Sequence, residues 1–258
     1  MNPSPLTNRR NLEFMLYEVL GVDRLCAWPR FADHSRDTFG AALDLAHQIA
    51  LEKFLPHNRK SDLNEPQMVD GKVVLIPEIG EAVQAYNDAG FAAALADYEA
   101  GGMQLPFVIA QACDSMFSAA NPGTIAYPAL ARGASNLLAE YGTPEQKRLY
   151  MQPIIEGRYF GTMCLSEPHA GSSLADIKTT AEPQADGSYR LTGAKMWISN
   201  APIADVFVVW AKSEAHGGKI KGFVLDKGMT GLSAPKVGGK LSLRASITGE
   251  IVMKNVEV

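Results

Sequence analysis

The sequence predicts an α+β fold, in which an all-helical region is followed by an antiparallel β region, and three observations support that class. Over about the first 160 residues, apolar side chains recur at intervals of three and four, as on one face of a helix. Beyond that point the period falls to two, as in strands with one buried face. Because the two patterns follow each other without alternating, we predict two separate domains, residues 1–160 and 161–258.

Helices are predicted where the three-four spacing holds and where capping or breaking residues bracket it. They cover residues 12–20, 35–55, 78–89, 91–100, 106–119 and 123–140. A further helix begins at Thr143, the predicted N-cap, with Pro144 at the first helical position and Gln146 three residues after the cap. Residues 64–77 lack periodicity and are predicted to form a loop that contains the turn pair Asp70-Gly71.

Strands are predicted where the apolar period is two. They cover Gly161–Ser166, Lys178–Glu182, Tyr189–Ser199, Asp205–Lys212, Lys221–Asp226 and Gly249–Val258. Asp186-Gly187 is predicted to be a turn between two of them.

Composition narrows the class of protein. The chain has 258 residues, of which 47% are hydrophobic and 20% charged, values that are ordinary for a globular protein. The net charge of −4 and the lack of basic runs argue against a nucleic-acid partner. The three cysteines, Cys26, Cys113 and Cys164, are far apart and argue against a disulfide framework or a metal site, which favours a cytoplasmic location. The beginning of the chain does not resemble a secretory signal, and we expect no membrane partner.

Residues 163–173, MCLSEPHAGSS, are the first stretch with chemical content. A strand breaks at Glu167-Pro168 into a loop of small residues, which lets the backbone approach a ligand and offer N–H and O–H donors. Such donors suit phosphate oxygens or the edge of a flavin. By composition alone the stretch is also an ordinary turn between strands.

Residues 193–200, GAKMWISN, are the second such stretch. Trp197 near a strand end, followed by Ser199, places an indole and a hydroxyl where they suit a planar ring with a polar edge. Taken alone, the pattern also fits a tryptophan in the core.

In combination the two stretches are more specific. MCLSEPHAGSS, a hairpin of about twenty residues, LTGAKMWISN and then LRAS form an ordered series that resembles the acyl-CoA dehydrogenase family, and YGTPEQKRLYMQPIIEG before it does so too. The resemblance is strong over residues 135–258 and looser over the earlier helices. It implies an N-terminal helical domain and a β-barrel-like middle domain, without the C-terminal helical domain of the family.

The resemblance implies that FAD is the cofactor and that it contacts eight residues. Met163, Leu165 and Ser166 should line the flavin, and Gly171 and Ser172 should lie where the loop meets the FAD pyrophosphate or the acyl-CoA. Ser172 is the one predicted substrate contact.

On the second stretch, Trp197 should pack on the ring system, with Ile198 beside it and Ser199 near flavin N5. Ser166 and Ser199 stand where the family often has threonine, so each hydroxyl is kept. Ser173 stands where aspartate is frequent, for which we expect a small change of loop geometry.

The implied reaction is α,β-dehydrogenation of an acyl-CoA thioester, with electron-transfer flavoprotein or a similar acceptor as redox partner and a homo-oligomer as the full-length form. In most of the family the base is a glutamate of the C-terminal domain. No residue up to Val258 matches it, so we assign no catalytic residue, and the family implies a structural role for Glu167. We expect the 258-residue chain alone to be inactive. A non-catalytic flavin-binding or interaction fragment, and a flavin oxidase or monooxygenase of the same fold, stay open as alternatives.

The two parts of the chain resemble different branches of that family. Residues from about Trp197 to Val258 are most similar to glutaryl-CoA dehydrogenases, whereas the earlier part is more similar to a bacterial branch acting on longer or unusual acyl chains. We hypothesise a mosaic with a join near residues 190–200.

Overall fold

The computed structural model describes residues 4–258, which form two compact units. The first comprises the chain up to Asn64 together with Leu75–Ile125, and the second comprises Glu65–Val74 and Ala126–Val258. The units divide the chain at residue 125 rather than at the change of pattern near 160, because the helices after residue 125 pack with the sheet. No helix among the described residues is long and apolar enough to cross a membrane.

The first unit is helical. Its α-helices are α1 (Arg9–Glu13), α2 (Arg36–Ile49), α3 (Asn58–Leu63), α4 (Pro77–Asp88) and α5 (Phe107–Ala120). Helices α1 and α2 continue as π-helical turns at Phe14–Val19 and Ala50–Phe54, and short 3-10 turns occupy Val22–Ala27, Pro29–Phe31, Leu55–His57, Phe91–Ala93 and Tyr98–Ala100. The helices expected at 12–20, 35–55, 78–89 and 106–119 are therefore confirmed, with small shifts of their ends.

The helix expected at 91–100 is wrong. Gly90 and Gly101 adopt positive φ values of 80° and 81°, which ends helical continuity on both sides. Between them, the carbonyls of Ala93 and Ala94 accept hydrogen bonds from the later amides of Met103 and Leu105 at 3.1 and 2.8 Å. Because those carbonyls bond to the following segment, they do not close α-helical turns.

Aromatic rings fill the core of the first unit. Phe117 packs on Phe54, Tyr86 and Phe91 with ring centroids 5.0 to 5.2 Å apart, and all four side chains are buried. Nearby, the buried His57 shares a 2.9 Å hydrogen bond with Thr124. Burial lowers the pKa of His57, so the neutral ring is favoured there.

The larger part of the second unit, Ala126–Val258, begins with helical segments. Helix α6 (Pro122–Tyr141) starts just before it, and α7 (Pro144–Gln146), a π-helical turn at Lys147–Met151 and α8 (Gln152–Ile155) follow. The predicted cap is confirmed: the Gln146 amide donates to Thr143 Oγ1 at 3.2 Å, and the Thr143 amide donates to Gln146 Oε1 at 3.0 Å. Apolar side chains of α6 and α8 pack with Val206 and Val208 of the sheet.

An eight-stranded sheet makes up the rest of the second unit. Its strands are β3 (Gly161–Cys164), β4 (Thr180–Pro183), β5 (Tyr189–Ser199), β6 (Val206–Ser213), β7 (Lys219–Asp226), β8 (Leu232–Ser233), β9 (Lys236–Val237) and β10 (Thr248–Glu257). The six predicted strands correspond to β3–β7 and β10. A separate hairpin, β1 (Gln67–Val69) and β2 (Lys72–Val74), turns at Asp70-Gly71 inside the stretch expected to be a loop.

The sheet is open, with order β3-β6-β4-β5-β10-β8 along its main path, and it is mixed rather than wholly antiparallel. Strands β3 and β4 both pair with β6 in parallel. The two strands lie one after the other along the same edge of β6. The chain between them, residues 165–179, leaves the sheet and enters it again in the direction in which it left, so both strands run parallel to β6. The expected fold class is confirmed; the β domain was expected to be antiparallel and barrel-like, and its sheet is open, with two parallel pairings among the antiparallel ones.

Candidate functional site

The first motif lies in the segment between β3 and β4. The amide of Glu167 donates to the Ala170 carbonyl at 2.8 Å, and the amide of Ala170 donates back at 3.1 Å, so residues 167–170 form a tight turn. Ala170 is buried under this turn, whereas Gly171, Ser172 and Ser173 are exposed. The loop is therefore anchored at its base and open at its small-residue tip.

The second motif lies beside the first. The amide of Met196 donates to the Ser166 carbonyl at 2.9 Å, and Thr162 Oγ1 donates to the Ser199 carbonyl at 2.7 Å. The end of β3 and the end of β5 are thus joined by hydrogen bonds, and the two motifs form one edge of the second unit.

A β-bulge turns Trp197 out of the sheet. Ile198 pairs with Gly249 of β10 and Lys195 pairs with Ile251, so Met196 and Trp197 together oppose the single residue Glu250. Trp197 adopts a φ of 62°, and its side chain is 60% exposed. Without the extra residue, Trp197 would share the buried face of Lys195. The alternative that Trp197 is a core tryptophan is therefore wrong.

The other predicted site residues divide by face. Met163, Leu165, Ser166 and Ser199 are half-buried, while Cys164 is fully buried in the sheet core, as predicted. Burial raises the pKa of the Cys164 thiol.

The eighth predicted contact, Ile198, is placed differently from its neighbours. Its side chain is 3% exposed and packs in the sheet core. Only its backbone is available to a ligand.

Two hydroxyls at this edge are without a protein partner. Within residues 4–258, neither Ser166 Oγ nor Ser199 Oγ forms a hydrogen bond with another residue. A Cβ added at Gly171 would meet no atom within 4 Å, so nothing packs against the tip of the loop. An exposed indole face, two free hydroxyls and an open loop of small residues therefore lie along the same edge.

Glu167 lies beneath the edge in a network of donors. Its Oε1 accepts from Lys195 Nζ at 2.9 Å, from the Thr179 amide at 3.0 Å and from Thr179 Oγ1 at 2.6 Å, and its Oε2 accepts from the Lys178 amide at 2.6 Å. Lys195 Nζ also donates to the Leu165 carbonyl at 3.1 Å. The side chains of Lys195 and Glu167 are 0% and 2% exposed, so this is a fully buried ion pair.

The network fixes the charge of Glu167. Burial alone would raise its pKa, but the donors from Lys178, Thr179 and Lys195 outweigh that effect and lower the pKa to about 2. Burial lowers the pKa of Lys195, and the neighbouring carboxylate partly offsets this. His169 is closer to the surface, with Nε2 3.7 Å from Glu167 Oε2 and 3.2 Å from the Asp176 carbonyl oxygen.

Lys195 and Thr179 were not identified from the sequence as site residues. A signal was present for Lys195, because it occupies the same face of β5 as the buried Leu191. A lysine on a buried face requires a buried partner, and Glu167 is the acid next to the strand end. The sequence gave no such signal for Thr179. Thr179 can reach Glu167 only because residue 193 is a glycine, since a Cβ on Gly193 would lie 2.4 Å from Thr179 Oγ1.

Two other buried contacts hold the segment after β5. Asn200, with a φ of 65°, donates from Nδ2 to the Tyr127 carbonyl at 2.8 Å, and Tyr127 Oη donates to the Ala245 carbonyl at 2.7 Å. Asn200 Oδ1 is buried without a partner among the described residues.

Comparison with protein families gives two matches, which together cover most of the chain. Residues 41–158 match the model of the acyl-CoA dehydrogenase N-terminal domain, and residues 162–256 match that of the acyl-CoA dehydrogenase middle domain. Among curated proteins, the mitochondrial isovaleryl-CoA dehydrogenase of Solanum tuberosum is 32% identical over 237 residues, which is 88% of this chain and 55% of that protein. The chain spans about half the length of such relatives.

Solved structures give the same picture. Glutaryl-CoA dehydrogenase from Mycobacterium smegmatis matches with a TM-score of 0.75 and 27% identity, over 88% of this chain and 55% of that one. An acyl-CoA dehydrogenase complexed with FAD from Bacillus anthracis matches with a TM-score of 0.75 and 25% identity, over 88% of this chain and 37% of that one.

Proposed function

The chain belongs to the acyl-CoA dehydrogenase family, and on that premise we propose that it binds FAD and takes part in the α,β-dehydrogenation of an acyl-CoA thioester. The observation that carries the proposal is the edge formed by the ends of β3 and β5. There an exposed indole stands beside two hydroxyls that have no partner in the described part of the chain. A planar ring with a polar rim matches both features.

These residues fit the cofactor in chemical character. The indole of Trp197 offers an aromatic face for stacking, and the hydroxyls of Ser166 and Ser199 offer donors to the polar atoms of a flavin. Met163 and Leu165 are half-buried apolar side chains on the same edge, and they would exclude water from one face of the ring. When bound, FAD supplies the acceptor for the hydride that leaves the substrate β-carbon.

The loop tip suits phosphate. Gly171 and Ser172 are exposed, and no atom lies within 4 Å of where a Gly171 side chain would begin, so a ligand can approach the backbone closely. Their amides and the Ser172 hydroxyl would donate to phosphate oxygens of the cofactor or of the acyl-CoA.

Glu167 is not suited to act as the base that removes the substrate α-proton. It accepts four hydrogen bonds, its side chain is 2% exposed, and its pKa of about 2 makes it a weak proton acceptor. We propose that this chain does not supply the base, because no residue of it matches the family's catalytic glutamate.

The remaining partners are proposed from the family. The substrate is an acyl-CoA, the electron acceptor is electron-transfer flavoprotein or a similar protein, and the whole protein is a homo-oligomer. We propose a cytoplasmic location from the three free cysteines, although the Solanum tuberosum relative is mitochondrial. Cell fractionation and sedimentation of the whole protein would test the location and the oligomeric state.

The visible spectrum of the purified chain, titrated with FAD and then with acyl-CoA of several chain lengths, tests the proposal. We expect a flavin absorbance band that stays with the protein through gel filtration. Acyl-CoA should perturb the band without bleaching it, because the base is not supplied by this chain. The double variant S166A/S199A, which removes both free hydroxyls, should bind FAD more weakly at unchanged thermal midpoint.

Each other outcome selects an alternative. Bleaching by acyl-CoA would show that the chain contains a competent base. Retained flavin that does not respond to any acyl-CoA would favour a flavin-binding fragment or an oxidase of the same fold. If no flavin is retained, the proposal that this chain binds FAD is wrong.

A further inference from the structure

The buried ion pair between Lys195 and Glu167 links the two motifs of the proposed FAD site. Lys195 Nζ contacts Glu167 and the Leu165 carbonyl, and Leu165 immediately precedes Ser166. Lys195 itself lies two residues before Trp197, on the last regular position of β5 before the bulge. One side chain therefore joins the strand that presents the indole to the segment that presents the hydroxyl.

The remaining donors to Glu167 come from the far end of the same segment. The Lys178 amide and the Thr179 amide and hydroxyl all bind the carboxylate. The two ends of residues 165–179 are therefore held near each other, because Leu165 accepts a hydrogen bond from Lys195 and Thr179 donates to Glu167. Thr179 reaches this position because Gly193 has no side chain, since a Cβ there would lie 2.8 Å from the Thr179 Cα.

Stability alone is a weak reason for this arrangement. A buried ion pair loses the hydration of both charges, and its replacement by apolar residues of similar volume is often neutral or stabilising. The best-attested use of such a pair is to specify register. Register matters here because the bulge frees the Met196 amide from the β10 ladder, and that amide is used instead by Ser166.

We infer that Lys195 and Glu167 are positioning residues for the cofactor, which set the register between the bulge at Met196–Trp197 and the segment that begins at Leu165. This inference rests on the proposed function. The pair sets where the Trp197 ring lies relative to the Ser166 hydroxyl, and it does not contact the reacting atoms.

Two single substitutions and their combination test the inference. Glu167→Gln keeps the shape and leaves Lys195 without an anionic partner, and Lys195→Met removes both hydrogen bonds that the ammonium donates, to Glu167 and to the Leu165 carbonyl. In hydrogen exchange of the apo chain, both should speed exchange of the Lys178, Thr179 and Met196 amides at least tenfold more than that of the Val258 amide, which pairs with Tyr189. Because the residues act as a pair, E167Q/K195M should be no worse than the worse single variant.

The second readout is the affinity for FAD. Each single variant should bind FAD at least tenfold more weakly and shift the visible band of the flavin that remains bound. Leu225→Ala is the matched control, because Leu225 is fully buried in the same unit, on β7, a strand that pairs with β6 and carries neither residue of the pair. It should lower the thermal midpoint without changing FAD affinity. Thr179→Val, which removes only the hydroxyl donor, gives a milder variant should the others fail to fold.

The outcomes separate this inference from the proposed function. Unchanged exchange at the three amides, or FAD affinity that follows the thermal midpoint in the same way for L225A and the pair variants, would overturn the positioning role while the FAD site stands. If the wild-type chain binds no FAD, the proposed function fails and the inference fails with it. Selective loss of amide protection together with weakened FAD binding supports both.

Discussion

At the scale of single residues, Glu167 shows how environment decides the use of a carboxylate. Its sequence position, beside a loop that suits a ligand, is one where a catalytic acid or base could stand. Four donors and nearly complete burial instead hold it ionised. Lys195 differs in the same way from an ordinary lysine, since burial lowers its pKa and its ammonium contacts a carboxylate and a carbonyl. Both residues therefore serve the structure of the site.

Glu167 should make folding stability depend on acid pH. Its folded pKa of about 2 lies below the 4.5 of a free glutamate, so the unfolded chain takes up this proton at a higher pH. The stabilisation is complete above the unfolded value and is lost as the pH falls from about 4.5 towards 2. We expect the difference in unfolding free energy between wild type and E167Q to shrink by on the order of 3 kcal/mol over that window.

Urea unfolding of both proteins from pH 6 down to pH 3 measures the upper part of this effect. The difference between the two proteins isolates the contribution of Glu167, because their other carboxylates titrate alike. Glu156→Gln serves as control. Hydrogen bonds from Gln152 and Arg158 also lower the pKa of Glu156, but solvent screens this surface group, so E156Q should change the slope in the same direction and much less. A difference between wild type and E167Q that is independent of pH would contradict the assigned ionisation.

At the scale of elements, the bulge in β5 combines a backbone cost with a gain for the proposed FAD site. A residue other than glycine in the left-handed region costs about 1 to 2 kcal/mol, and Trp197 is held there at a φ of 62°. Strain of this kind persists when the surroundings enforce it and is frequent at ligand sites. The gain is an indole that stands 60% exposed at the end of a buried strand.

Substitution of Trp197 should separate these two effects. Trp197→Gly relieves the backbone cost, so the thermal midpoint should stay level or rise, while FAD affinity should fall roughly tenfold because base stacking on an aromatic ring contributes about 1 to 3 kcal/mol. Trp197→Ala should lose the same affinity but remain about 1 kcal/mol less stable than the glycine variant. Trp28→Ala, at a similarly exposed tryptophan in the other unit, is the control and should leave FAD binding unchanged. Equal FAD affinity in all four proteins would contradict the stacking role.

The sequence could predict those elements whose signals are local. The cap at Thr143 is confirmed atom by atom, because a capping box depends on four consecutive residues. The strands β5 and β6 are confirmed to within one residue at each end, because their alternation is long. The helix expected at 91–100 failed because its carbonyls bond to residues 103–105, a tertiary effect that no local pattern records.

For the site, the structure brings together the ends of β3 and β5, which carry the two motifs identified from the sequence. The contacts of these residues with FAD stay a prediction. The sequence could not predict the bulge, because the register between β5 and β10 depends on strands that are about fifty residues apart in the chain. For the same reason it assigned Ile198 with its neighbours, although the bulge sends that side chain into the core.

At the scale of the whole molecule, the chain carries the residues proposed to contact FAD, and none of its residues was matched to the family's catalytic glutamate. Among the described residues, the carboxylate closest in sequence to the proposed flavin edge is Glu167, which is buried and paired with Lys195. The family models match an N-terminal and a middle domain. In the proposed reaction, these domains would bind and orient the reactants, and proton removal would need a carboxylate of higher pKa than Glu167 has.

We therefore expect the 258-residue chain, supplied with FAD, acyl-CoA and an artificial electron acceptor, to show no turnover above that of free flavin. The assay follows acceptor reduction across several acyl chain lengths and from pH 6 to 9, so that neither the wrong substrate nor an unfavourable pH hides activity. E167Q is measured alongside, and it should be as inactive as wild type. With FAD saturating both proteins, turnover by wild type that disappears in E167Q would identify Glu167 as the base despite its hydrogen bonds. Turnover that persists in E167Q would place the base on another residue of this chain, and either result would refute the inactivity that we predict.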